Sequence, residues 1–174
     1  MRLRSYPRSV KLAVGDAVVY AAHGAGRVAA REQRTVLGVE QEVVVLELGH
    51  GLCVTLPIEQ ARERLRPVAS EADVQRVQQT LHEEGETAEG SWHQRLKQGR
   101  AKLASGDPLE LAELVRDGMR HQSQARKGAA PKFSETERRL YVQARELLTR
   151  EIGSARGLEL VEADAWIEEQ ATPA

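Results

Sequence analysis

Cysteine and aromatic residues are scarce in this chain: 174 residues include one Cys, one Phe, two Trp and three Tyr. A single thiol, Cys53, excludes an internal disulfide framework and fits a reducing cytoplasm. With so few rings, any core must be filled by Val, Leu, Ile and Ala. No apolar run approaches the length that a membrane helix needs. The basic start (Arg2, Arg4, Arg8, Lys11) lacks the apolar stretch of a signal peptide, so a soluble, cytosolic protein is expected. Chemistry-bearing motifs are missing too. There is no Gly-rich phosphate loop followed by Lys and no Gly-x-Ser-x-Gly elbow. The five histidines (His23, His50, His82, His93, His121) are scattered. His50 and Cys53 are neighbours, but two ligands without companions do not make a zinc site. Cys53 falls mid-strand, where a buried structural thiol is expected. These features predict a binding module rather than an enzyme, with no cofactor and no metal.

What is present is charge, unevenly placed. The net charge is only −1, yet residues 1–66 carry +3, 67–91 carry −5, 92–132 carry +5 and 133–174 carry −4. A neutral total conceals a basic block between two acidic ones. Its centre is residues 92–105, Trp-His-Gln-Arg-Leu-Lys-Gln-Gly-Arg-Ala-Lys-Leu-Ala-Ser, with four Lys/Arg, no acid and one of the two tryptophans. A basic helix opening on a flat apolar ring suits a surface that meets phosphates and a groove.

Two periodicities meet near Pro67. From Val14 to Val68 β-branched runs are cut by glycines, the pattern of short strands: Ala17–Tyr20, Arg27–Arg31, Glu42–Leu48, Leu52–Leu56 and Leu65–Val68. Five such strands suggest a small SH3- or Tudor-like barrel. The glycines of His23-Gly24-Ala25-Gly26 read as a tight turn with positive φ. From Ser70 onward the apolar period is helical. Ser70 could cap a helix carrying Val74, Val77 and Leu81, and the segment 85–90 is a polar loop. Ser91 is a candidate cap for the basic helix, which stops at Gly106. Asp107-Pro108 is a start signal for a helix carrying Leu111, Leu114, Val115 and Met119 inward. Gln122 to Lys132 reads as a flexible connection. Ser134-Glu135-Thr136-Glu137 fits a capping box before Leu140, Ala144, Leu147, Leu148 and Ile152. Gly153 and Gly157 are expected to break that helix before a last one with Leu160, Ala163 and Ile167 on one side.

Trp92, Leu96 and Leu103 share a helical face with Gly99 between them, which by periodicity alone places Trp92 in a core. At the first helical position, however, a side chain points back past the helix end and can protrude. Both readings stand at this point. Arg95 and Lys102 flank the Leu face on one side, Lys97 and Arg100 on the other.

This text resembles the CarD family of bacterial RNA-polymerase-binding transcription regulators. The N-terminal half is similar to the RNA-polymerase-interacting domain that these proteins share with the transcription-repair coupling factor. The match lies in Val14-Gly15-Asp16-Ala17-Val18-Val19-Tyr20, His23-Gly24-Ala25-Gly26, Arg34-Thr35-Val36 before a glycine turn, and Val54-Thr55-Leu56-Pro57. The C-terminal half is similar to the CarD helical domain in Ser91-Trp92 with Arg95 and Lys97, in Lys102-Leu103-Ala104-Ser105-Gly106-Asp107, and in Ala112-Glu113-Leu114-Val115-Arg116-Asp117. The resemblance implies an α+β chain: a Tudor-like RNA-polymerase-interacting domain over residues 1–68, then an all-α DNA-interacting domain over 69–174. It implies docking on the RNA polymerase β subunit through Arg34 and Val36. It also implies contact with promoter DNA at the upstream edge of the transcription bubble, Trp92 wedging into the minor groove and Arg95 and Lys97 on phosphates. Arg100 and Lys102 extend that basic set. DNA contact is expected to be independent of sequence, the protein monomeric, and its place the cytoplasm, on the nucleoid through polymerase. Two positions depart from the family pattern: Tyr20 is followed by Ala21-Ala22 without the usual proline, and Thr55 stands where some members carry an arginine, so Thr55 does not take that role. An alternative is a KOW- or SH3-like ribosome- or RNA-associated module, since Val14–Val19 with a later Gly-x-Gly also resembles that pattern.

Overall fold

Glycine and β-branched spacing in the first third of the chain produces a five-stranded antiparallel sheet. The computed structural model describes residues 10–21, 23–84, 92–128 and 133–171, without the side chains of His50 and Trp92. The strands are β1 (Ala17–Tyr20), β2 (Gly24–Val36), β3 (Val39–Leu48), β4 (Cys53–Pro57) and β5 (Leu65–Pro67), in the spatial order β4-β3-β2-β1-β5. Val18, Val28, Val44, Leu46, Leu48, Leu56 and Leu65 come from all five strands and form one buried cluster, so the sheet curls around its own core. A seven-residue helix, α1 (Ile58–Arg64), joins the two edge strands and packs against β3, β4 and β5, with Ala61 fully buried beneath it. This is the small Tudor-like architecture the sequence suggests.

Ala29 is a bulge in β2: Val28 pairs with Leu46 and Ala30 with Val45. An extra residue bends a strand and increases its twist. Here it also marks where the β2–β3 hairpin leaves the core, because no residue from 29 to 42 is buried.

Contacts divide the chain between Val68 and Ala69, and the second unit is helical. It holds α2 (Glu71–His82), α3 (Trp92–Ser105), α4 (Pro108–Arg126), α5 (Glu135–Arg156) and α6 (Leu160–Ala171). Local signals start three of them. Ser70 and Asp73 form a capping box at α2, Ser134 and Glu137 another at α5, and the Asp107 carboxylate accepts from Leu109 N–H at 2.8 Å with Pro108 in the first turn. Burial of the Asp73 carboxyl would raise it, but hydrogen bonds from Ser70 and the charge of Arg76 outweigh that and hold it below the usual carboxylate range. Val77, Leu81, Leu111, Val115, Leu148, Ile152 and Ile167 make the common core. Two charged groups are buried in this unit with partners. Arg116 donates to the Thr80 carbonyl at the end of α2 (3.2 Å) and to Asp117 (2.9 Å). Glu151, 1% exposed, accepts from the Ala69 N–H at 3.1 Å.

Several expectations are corrected. Cys53 is exposed, because with Thr55 it lies on the face of β4 opposite Val54 and Leu56, which pack on the sheet core. The segment read as a flexible connection from Gln122 is helical as far as Arg126; residues 129–132 lie outside those described. Gly153 does not break α5: it is buried, and a Cβ there would come 3.1 Å from the Leu158 carbonyl oxygen and 3.7 Å from Ala163. The helix ends only at Gly157, which is left-handed. Gly24 has the expected positive φ (+82°), whereas Gly26 lies within β2, where a Cβ would sit 2.3 Å from the Glu47 carbonyl oxygen. Gly26 serves strand approach, not a turn. Leu160 is half-exposed at the start of α6, while Ala163 and Ile167 face the core as expected. The proposed Ser91 cap and the polar loop at 85–90 fall outside the described residues.

Candidate functional site

The basic helix α3 is placed by an apolar stripe. Leu96 is buried, Leu103 packs on the helical core, and between them Gly99 lies against α5, where a Cβ would be 2.5 Å from Leu140 Cδ2. A side chain at 99 would require the end of the Leu140 side chain to move aside. Gly106, at φ +61°, ends the helix with its N–H on the Leu103 carbonyl.

Packed this way, α3 divides its four cations. Lys97 and Arg100 are exposed and have no ion-pair partner among the described residues. Lys102 instead reaches Glu113 of α4 through an ion pair of 2.6 Å. Arg95 is half-buried and, with Lys102, Gln98 and Leu96, borders a cleft of about 150 Å³ between α3, α4 and α5. The far wall of the cleft includes His121 and Phe133, stacked with ring centroids 4.3 Å apart. The two sides of the Leu face expected from the helical period have different surroundings: Lys97 and Arg100 stand outward, while Arg95 and Lys102 are turned toward the cleft. Trp92 is the first residue of α3, but its side chain lies outside the described residues. The second tryptophan, Trp166, packs on the core with the Arg156 guanidinium 5.0 Å from its ring centroid.

In the sheet unit, Arg34 and Val36 stand on the protruding hairpin. Two residues apart on β2, they share one face with Glu32, and Arg34 Nη2 donates to Glu32 Oε1 at 2.5 Å. Across the strand pair, Arg31 bonds Glu42, also at 2.5 Å. Sequence reasoning missed Leu37 at the tip, which is 99% exposed. The one signal was its position in a turn before Gly38, where Asn or Asp is usual. Thr55 is exposed on β4.

Among the described residues no group of three or more His, Cys, Asp or Glu is arranged to hold a metal, and no helix is long and apolar enough to cross a membrane. The sheet unit presents a charged hairpin, and the helical unit a basic helix.

Comparison with known proteins bears on both units. The family model described as CarD-like/TRCF RID domain matches residues 12–69, and that described as CarD, C-terminal domain, matches residues 76–168. The chain is also similar to a protein of Bacillus subtilis (strain 168) named "Putative transcription factor YdeB". The two are 29% identical over 150 residues, 83% of this chain and 92% of that protein.

Proposed function

This chain belongs to the CarD family of transcription regulators, and from that premise we propose that it binds the RNA polymerase β subunit through its sheet unit and promoter DNA through α3, stabilising the open complex. The observation that carries the DNA half is the helix without acids whose Lys97 and Arg100 stand exposed. Such a helix attracts DNA backbone without reading sequence, and its binding weakens steeply with salt.

Trp92 is the residue assigned to the upstream edge of the bubble. A ring inserted at the duplex junction offsets part of the unstacking there, on the order of a few kcal/mol. Because that contact is stronger to melted than to closed DNA, it shifts the population toward the open complex. One short basic helix binds DNA weakly, and tethering to polymerase raises its effective concentration at the promoter. Arg34 and Val36, on one face of the hairpin, are the polymerase-facing positions in this reading. Arg95 and Lys102 are assigned supporting places beside the DNA. The protein acts as a monomer in the cytoplasm, on the nucleoid through polymerase, and no step of covalent chemistry is involved.

The test is twofold. The chain should copurify with core RNA polymerase and should lengthen the half-life of open complexes challenged with competitor DNA. Copurification with ribosomal particles instead would replace this reading with the RNA-associated alternative.

A further inference from the structure

Among the described residues, only two that are not glycine have positive φ: Leu12 at +45° and Leu37 at +52°. A Cβ is disfavoured in the left-handed region, so each conformation requires compensation. Leu12 has it, since its side chain is 2% exposed and belongs to the sheet core with Val18, Val28 and Leu46. Leu37 has none among the described residues, being 99% exposed.

Leu37 and Gly38 (φ +81°) are the two central residues of the turn between β2 and β3, and Val36 pairs with Val39 across it. Two successive positive φ values in a two-residue hairpin loop define a turn that favours Asn, Asp or Gly in the first place. A leucine there combines a disfavoured backbone with a fully solvated apolar side chain. Nothing among the described residues compensates it, and strain of this kind points to an external role.

The setting indicates what the role is. The hairpin stands away from the core from residue 29 to 42, and Val39 is exposed beside Leu37, so its tip is a small apolar knob. Below the knob, both arginines between residues 29 and 42 are already held by glutamates, Arg31 by Glu42 and Arg34 by Glu32. A protruding segment whose positive charges are internally paired suits a protein surface better than phosphates or an anionic membrane.

We propose that Leu37 is an anchor that inserts into an apolar pocket on RNA polymerase; this rests on the reading that the sheet unit docks there. Buried apolar anchors surrounded by paired charge carry much of the energy of protein interfaces.

The experiment compares the full-length wild type, Leu37→Asn and Leu37→Met for binding to immobilised core RNA polymerase and for thermal unfolding. Leu37→Asn should have an unchanged Tm or one higher by a few degrees, as relief of turn strain in a small unit gives. Its affinity for polymerase should fall about tenfold or more, the loss expected from removing one buried Leu contact. Leu37→Met keeps an apolar side chain and should stay within about threefold of wild type. Undiminished binding by Leu37→Asn, with wild type binding normally, overturns the anchor while leaving the polymerase reading intact. A lowered Tm for Leu37→Asn overturns the strain argument. Absence of binding by the wild type overturns the polymerase reading itself, and the anchor with it.

Discussion

Arg145 of α5 clasps Asp164 of α6 with two hydrogen bonds, Nε to Oδ1 at 2.6 Å and Nη2 to Oδ2 at 2.9 Å. The same guanidinium donates to Glu168 at 3.0 Å and to the Tyr141 hydroxyl at 3.3 Å, and the Thr149 hydroxyl adds a bond to Asp164 at 3.3 Å. A forked pair of this geometry is the stronger kind of charged contact. It ties the last helix to the longest one.

The clasp has a pH signature. Hydrogen bonds from Arg145 hold the Asp164 carboxyl below its ordinary value of 3.8, outweighing the opposing effect of burial. A carboxyl depressed in the folded state contributes stability that is complete above the unfolded value and is lost as pH falls through the folded one. Asp164→Asn should therefore lower Tm at pH 7, and its deficit against wild type should shrink below about pH 4. A deficit constant from pH 7 to pH 3 would show that the clasp acts by packing alone.

Gly118 of α4 faces the Tyr141 ring so closely that a Cβ would lie 2.1 Å from Cδ2 and 2.6 Å from Cε2. Alanine would gain about 1 kcal/mol of helix propensity. The ring, held through its hydroxyl by Arg145, cannot easily yield. Gly118→Ala should thus destabilise by about 1–3 kcal/mol, as overpacking does. Chemical denaturation measures it, and a stabilised variant would mean the ring moves freely.

Salt dependence distinguishes the cations of α3. Lys97→Ala and Arg100→Ala should each flatten the log–log salt slope of binding to the polymerase–promoter complex by about one unit. Lys102→Ala should change it less, since that ammonium is already paired with Glu113. Equal slopes for wild type, Lys97→Ala and Arg100→Ala would remove the outward face of α3 from the DNA interface.

Trp92 decides between wedge and core. As core, Trp92→Ala should lose about 3–5 kcal/mol of folding stability. As wedge, the variant should fold normally, still bind polymerase, and fail to prolong open complexes. In a Trp166→Phe background Trp92 is the only tryptophan, and its fluorescence should change on adding promoter complex. An unchanged, buried signal would return Trp92 to the core.

Much of this fold was legible in the text because its determinants are local. Ser70 with Asp73, Ser134 with Glu137, and Asp107 before Pro108 act over three residues or fewer, and the strand and helix periods repeat within a few residues. The short α1 was not legible: Ile58–Arg64 buries one residue, Ala61, too little to show a period.

The sequence by itself therefore determined two kinds of element in two successive halves, the caps of three helices, and a basic helix opening on Trp92. Tertiary structure alone decided what single residues do within that frame. Gly153 fits a helix stop by its residue type, yet it is where α5 admits the segment leading into α6. The helical period puts Lys102 on one side of α3 with Arg95, and only the packing of α4 brings Glu113 to it. Leu37 is exposed because the hairpin leaves the core beyond the bulge at Ala29. In each case the deciding partner, or the lack of one, is set by elements that meet only when the chain has folded, beyond the few residues over which helix caps and strand alternation operate.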